Sequence, residues 1–280
     1  MGGRTWQRYD DVARAYEGAW HPSFEPVARD LIDLVAPAPD DAVLDVGAGT
    51  GVVAAAAAER GRHRLLVAVD PSLPMLRRAR VRAPLAPVAG RSPGLPFPPR
   101  TFDVVVANLV ISHFEHADAS LADMIRVLRP DGRLGVTAWG TLDDEPVDDA
   151  DQRELTNIWK SVAAHFVDVD AAGDVVEAAI PGEAWFGDPA HLRAALEQSG
   201  LRRVELGSRT YRRSLSQTEA LAGFETSFWG RYLRHALGDA DWESFRRDVA
   251  EAAATALPDP LTRVDQFLVA VGTKHFETRP

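Results

Sequence analysis

Gly47, Gly49 and Gly51 close the apolar run "VLDVGAGTG" at residues 43–51, which also holds an acid, Asp45. Glycine reaches positive φ without strain and carries no Cβ, so such a cluster suits a turn that a ligand approaches closely. A second acid, Asp70, follows 19 residues after Gly51 (70 − 51). A carboxylate at about that distance can accept hydrogen bonds from both hydroxyls of a ribose. The spacing departs from G-x-G-x-x-G, because the third glycine comes one residue early and Val52 takes its place. No phosphate-binding lysine follows either, which rules out a P-loop. An adenosine without phosphates, carrying an amino-acid tail, therefore fits better than NAD or ATP.

The flanking elements would hold these residues at one edge of a parallel sheet. "AVLDVG" (42–47), "RLLVAVD" (64–70), "TFDVVVANLV" (101–110) and "RLGVTAW" (133–139) read as strands, the third apolar enough to be buried on both faces. Helical stretches fall between them, with Gly61 placed to end the first and "RPDG" the last. Residues 83–100 hold six prolines and allow only a short strand at Leu85–Ala89. Alternation of this kind implies an α/β fold with helices on both faces of the sheet. Beyond Gly140 come an acidic loop and helices to about Ala179. The helix 188–201 follows, with Asp188 as N-cap, then the alternating strand "RRVELGSRTYRRSL", a long helical region over 217–257 and a last strand over 264–274. The expectation is one domain, 1–280. It comprises an N-terminal helical lid (1–40), a ligand-binding half (41–140), a helical insertion or cap with the sixth strand (141–257) and the last strand (258–280).

Composition narrows the chemistry. The chain of 280 residues has no cysteine, which excludes disulfides, thiolate metal sites and cysteine nucleophiles. Its net charge is −10, from 41 acids against 31 bases, and such a balance repels a phosphate backbone. The arginine clusters Arg77–Arg78–Arg80–Arg82 and Arg209–Arg212–Arg213 read as solvated faces. The longest apolar run, "VVAAAAA", is far short of a membrane span, and the first residues have no signal-peptide pattern. A cytoplasmic protein acting on a small molecule is expected, with no nucleic acid and no membrane among its partners. No feature bears on its oligomeric state.

"VLDVGAGTG", Asp70 in "VAVDPSLPML", "LPFPPRTFDVVVANLVISHF" and "VLRPDGRLGVTAW" together resemble the successive motifs of class I S-adenosylmethionine-dependent methyltransferases. The likeness is to the group containing the quinone-biosynthesis and small-molecule methyltransferases, and it covers roughly residues 5–140. It implies a Rossmann-like, seven-stranded, mostly parallel sheet with an antiparallel last strand. The implied cofactor is S-adenosylmethionine, leaving as S-adenosylhomocysteine, with no metal. Asp45, Gly47, Gly49 and Gly51 would lie along the methionine part and the ribose. Asp70 would hold the ribose hydroxyls, and Met75 would cover an adenine face. Asn108 and Leu109 would lie near the cofactor, and Tyr16 would close over it from the N-terminal helix. Where relatives commonly carry an acid for the adenine amino group this chain has Arg91, which cannot accept that hydrogen bond. Ser92 or a backbone carbonyl is the substitute.

Methyl transfer from a sulfonium is an in-line displacement, and a hydroxyl acceptor gains from a positioned base. His113 in "ISHFEH" is the candidate, ahead of Glu115 and His116. The alternative is that it shapes the pocket or caps a turn. Trp6, Tyr9, Tyr16 and Trp20 are spaced to share one helix face, as a lid or as a packed edge. Aromatics of the second half, among them Trp139, Trp185, Phe186, Phe228 and Trp229, would imply an apolar or aromatic acceptor if they line the pocket. Two rival readings are a methyltransferase-fold protein that binds without methylating and a nicotinamide-dependent oxidoreductase.

Overall fold

The computed structural model describes residues 9–142 and 147–275. Seven strands, β1 (Ala42–Val46), β2 (Leu65–Asp70), β3 (Ala86–Ala89), β4 (Phe102–Asn108), β5 (Leu128–Trp139), β6 (Leu201–Leu215) and β7 (Leu261–Lys274), form one sheet. Its order is β3-β2-β1-β4-β5-β7-β6. β1 pairs in parallel with β2 and β4, β2 with β3, and β4 with β5, whereas β7 runs antiparallel to β5. This is the mostly parallel sheet with an antiparallel last strand that the motifs implied.

Ten helices accompany it among the described residues: α1 (Ala13–Val35), α2 (Val52–Arg60), α3 (Leu73–Arg82), α4 (Ala117–Val127), α5 (Ala150–Ala163), α6 (Val169–Glu177), α7 (Glu183–Phe186), α8 (Pro189–Gln198), α9 (Gln217–Thr226) and α10 (Phe228–Ala256). None is long and apolar enough to cross a membrane. The chain divides into two compact units. The sheet unit comprises Pro22–Asp144, Ile180–Arg209 and Gln266–Pro280, and the helical unit Met1–His21, Glu145–Ala179 and Thr210–Asp265.

In the sheet unit, β1 and the centre of β4 are buried along their length, as their apolar composition requires. Gly135 of β5 lets α1 approach, because a side chain there would strike Leu31 and Val35. β5 starts at Leu128 rather than at the expected Arg133. Leu128, fully buried, pairs with Phe102 directly after α4, and the register then jumps to Val104 opposite Arg133. The "RPDG" stretch is thus a bulge within β5, with Asp131 at φ 59°, and α4 ends before it at Val127.

The helical unit has its own core, in which Trp159 and Trp242 pack against Phe245 with Leu233 and Val249 beside them. The long helical region expected over 217–257 is broken twice. Ser227 caps α10 by accepting the Gly230 amide, and Gly238 adopts φ 71° within that helix. The aromatic stripe is also rearranged: α1 begins at Ala13, so Tyr9 precedes it, yet the Tyr9 ring still packs edge-on against Tyr16. Trp6 lies outside the described residues. Arg231, buried, lies over the rings of Tyr9 and Phe228 at 4.1 and 4.4 Å. Trp20 donates to Thr226 Oγ1 at 2.9 Å. These contacts give the N-terminal aromatics a packing role within their own unit.

Candidate functional site

The sheet order places the ends of β2, β1 and β4 side by side, so Asp70, the glycine turn and Asn108 share one carboxyl edge. Ligands of open α/β sheets bind at such an edge, where the connections turn to opposite sides.

The three glycines have different reasons to be glycine. Gly47 (φ 71°) and Gly51 (φ 84°) are both left-handed, but their missing side chains are displaced by protein. A Cβ on Gly47 would strike the Val110 side chain, and one on Gly51 would lie 2.7 Å from Ala79 Cβ and 2.8 Å from Ala79 Cα on α3. Only at Gly49 would a Cβ meet no atom within 4 Å. The close approach read from the sequence is therefore packing against the segment after β4 at Gly47, packing against α3 at Gly51 and open space at Gly49.

That open position is tied to Asp70. Asp70 Oδ2 accepts the Gly49 amide at 2.9 Å and Oδ1 the Ser72 amide at 2.8 Å, so the backbone fixes the carboxylate at the end of β2. Ser72 also caps α3, with its hydroxyl accepting from the Met75 amide at 3.4 Å, and the Met75 side chain is buried.

Asp45, next to last in β1, is 1% exposed, and neither carboxylate oxygen has a hydrogen-bond partner among the described residues. Burial, and then the nearby Asp70 carboxylate, push its carboxyl up to about 8, against the pull of the Ala54 amide. A buried unpaired carboxylate is costly, so the group stays protonated at neutral pH. Because the folded-state value is raised, the folded protein holds a proton that the unfolded chain releases near pH 3.8, and stability falls as pH rises from there through about 8. Asp45→Asn is therefore expected to flatten this decline in denaturant titrations at pH 4, 6 and 8. An unaltered decline would place its origin elsewhere.

The loop after β3 is clamped to α4. Asp123 Oδ2 accepts the Gly94 and Leu95 amides, each at 2.7 Å, while Oδ1 takes Arg126 Nε at 2.8 Å. Arg126 in turn donates to the carbonyls of Phe97 and Leu95. Burial alone would raise the Asp123 carboxyl, but those two amides and the guanidinium hold it below the ordinary value. Ser92 is buried and donates to the Ser120 carbonyl at 3.2 Å, whereas Arg91 is exposed. Replacing Asp123 by alanine leaves two amides without their acceptor and should destabilise the fold by about 2–4 kcal/mol. Chemical denaturation checks this, and a variant as stable as the parent would remove the clamp.

At the end of β4, Asn108 Oδ1 accepts from Thr137 Oγ1 at 2.7 Å, and Thr137 Oγ1 accepts the Leu109 amide at 2.8 Å. Leu109 sits at φ 54°. A short 3-10 turn, Ile111–His113, follows, and Gly182, next to α7, donates its amide to the Ser112 carbonyl. His113 is half-buried at the end of that turn, while Glu115 and His116 are exposed.

The sheet unit thus holds Asp45, Gly47, Gly49, Gly51, Asp70, Met75, Arg91, Ser92, Asn108, Leu109 and His113, whereas Tyr16 belongs to the helical unit. Of the later aromatics, Phe186 joins the core of the sheet unit, and exposed Trp185 stacks on His191. Sequence reasoning missed Thr137, Asp123 and Val110, because each acts through a residue distant in the chain.

Residues 44–136 match the family model described as a methyltransferase domain. The chain is 33% identical over 270 residues to nocamycin O-methyltransferase of Saccharothrix syringae, covering 91% of this chain and 89% of that protein. It is 34% identical over 145 residues to demethylmenaquinone methyltransferase of Beutenbergia cavernae, a match spanning 48% of this chain and 57% of that protein. Among solved structures, phosphoethanolamine N-methyltransferase 2 of Haemonchus contortus, in complex with S-adenosylmethionine, superposes with a TM-score of 0.55 over 98% of this chain and 61% of that one. At 15% identity that likeness is one of fold alone.

Proposed function

We propose that this chain, which belongs to the S-adenosylmethionine-dependent methyltransferases, methylates a hydroxyl oxygen of a small, apolar or aromatic metabolite. The observation that supports oxygen as the acceptor atom is the likeness to a nocamycin O-methyltransferase, because it runs through both units and not only the cofactor motifs. The quinone methyltransferase match, by contrast, spans 48% of this chain.

The residues at the carboxyl edge fit the cofactor. Gly49 leaves room where a Cβ would otherwise stand, and Asp70, held by two amides at the end of β2, is the carboxylate that meets the ribose hydroxyls. Asp45 offers a buried acid that can ionise next to a cationic tail. Met75 packs under the adenine. Because Arg91 cannot accept from the adenine amino group, that hydrogen bond falls to Ser92 or a backbone carbonyl of the clamped loop.

Bound S-adenosylmethionine supplies an electrophilic methyl group on sulfur. The protein's share is to hold the acceptor oxygen in line with it and to exclude water, and such alignment is worth up to about 7–11 kcal/mol of the barrier. His113, just past β4, takes the hydroxyl proton as oxygen attacks. Replacing His113 by alanine is expected to lower kcat by about 10²–10⁴-fold with little change in cofactor affinity. Unchanged turnover would leave the histidine a pocket-shaping role only.

The acceptor class is tested by incubating the protein with labelled S-adenosylmethionine and a graded set of phenols, enols and aliphatic alcohols. Label in an alkali-stable ether of an aromatic or enolic acceptor supports the reading. Transfer only to amines or to carbon would overturn it.

A further inference from the structure

We propose that Thr137 is a positioning residue for the cofactor site, turning the Asn108 amide so that both of its N–H donors face the carboxyl edge. There they hold the carboxylate of the cofactor's amino-acid tail. This rests on the reading above, in which Asp70 holds the ribose.

The argument begins with proton counting. A threonine hydroxyl has one proton to donate and lone pairs to accept with. Thr137 Oγ1 accepts the Leu109 N–H at 2.8 Å, and its second contact, 2.7 Å away, is the terminal amide of Asn108. Thr137 is 0% exposed, so no solvent can take its proton. If the Asn108 nitrogen faced the hydroxyl, that proton would be buried without an acceptor, which costs about 1–3 kcal/mol. The atom facing Thr137 is therefore the Asn108 oxygen. The hydrogen-bond network itself settles which way this amide points.

Nδ2 of Asn108, with two protons, then faces away from β5 and donates to no described residue. Asn108 is only half-buried, so these donors are open to a ligand. The same hydroxyl holds Leu109 at φ 54°, a conformation that a branched side chain rarely adopts. One buried side chain thus sets both the amide and the backbone that follows it.

A pure donor demands an acceptor on the ligand. Asp70 ends β2, the glycine turn follows β1, and Asn108 ends β4, in adjacent order. Neighbouring strands lie about 4.8 Å apart, so Asp70 and Asn108 are separated by two such steps, on the order of 10 Å. A ligand whose ribose lies on Asp70 reaches β4 with its extended amino-acid tail. The tail's acceptor is the carboxylate, since its ammonium can only donate.

The test is calorimetric titration with two probes, S-adenosylhomocysteine and methylthioadenosine, which share the adenosine while only the first has the tail. Asn108→Ala should weaken S-adenosylhomocysteine by about 10-fold or more, the value of a hydrogen bond to a charged group, and leave methylthioadenosine unchanged. Thr137→Val should weaken the first probe in the same selective way, and Thr137→Ser, which keeps the hydroxyl, should restore it. In the double variant, Thr137→Val should add nothing to the loss caused by Asn108→Ala. The proposal is overturned if Asn108→Ala binds both probes as the parent does, or if Thr137→Val weakens binding equally with and without Asn108. A parent protein that binds neither probe would instead overturn the cofactor reading on which the proposal rests.

Discussion

Gly51→Ala is expected to cripple folding, whereas Gly49→Ala, two residues away in the same motif, should fold and fail to bind. At Gly51 a Cβ would lie 2.7 Å and 2.8 Å from Cβ and Cα of Ala79. Because one of those atoms is backbone, α3 as a whole would have to move. Overpacking of this sort costs about 1–3 kcal/mol, and holding alanine at a left-handed φ about 1–2 more. Together, at about 2–5 kcal/mol, these take a large share of the 5–15 kcal/mol that holds an ordinary domain folded. Gly49 has the left-handed term alone, since nothing stands within 4 Å of its would-be Cβ. Under the proposed reading the cofactor takes that space, so the variant should melt cooperatively yet show no heat on titration with S-adenosylhomocysteine. The opposite pattern, a stable Gly51→Ala and an unfolded Gly49→Ala, would mean that the packing around the turn has been misassigned.

Asp70→Ala should carry the largest loss of cofactor affinity. In the native arrangement both carboxylate oxygens are already fixed by the amides of Gly49 and Ser72, so no side-chain freedom is lost when the ribose arrives. Each hydrogen bond from a ribose hydroxyl to a charged acceptor contributes about 1.5–3 kcal/mol. Losing two of them corresponds to a rise in Kd of about 100-fold or more, at 1.4 kcal/mol for each tenfold. Asp70→Asn keeps one good acceptor oxygen and should fall between the two. Calorimetry on all three proteins decides the matter, and an Asp70→Ala variant with parental affinity would remove this residue from the site.

The order of strands and helices through the first half was readable because buried parallel strands are nearly continuous apolar runs, and "TFDVVVANLV" is such a run. The N-cap at Asp188 was equally local: its side chain accepts the Ala190 and His191 amides as its position before Pro189 implied. What escaped reading depends on contacts between residues far apart in the chain. The bulge in β5 is imposed by the pairing of Phe102 with Leu128, which no property of "RPDG" announces. The helical unit is gathered from three separate segments, and no change of composition marks where β6 and β7 pass from one unit to the other.

The same division holds at the site. Glycine and acid spacing pointed to Gly49 and Asp70, which the structure joins by a hydrogen bond. The reason for Gly47 and Gly51 was hidden, since Val110 and Ala79 come from other elements. Thr137 and Asp123 have ordinary residue types at ordinary strand and helix positions, and only their partners give them a role. Arg91 stood out as a departure from a familiar pattern, and the structure leaves it exposed beside a loop held by Asp123.

Titration of the full chain with S-adenosylhomocysteine by calorimetry, followed by the same titration on Gly49→Ala, tests most directly whether this edge of the sheet holds the cofactor. Saturable binding of one molecule per chain that disappears in the still-folded variant is the expected result. No binding to the parent, or binding that survives a Cβ at Gly49, would contradict it.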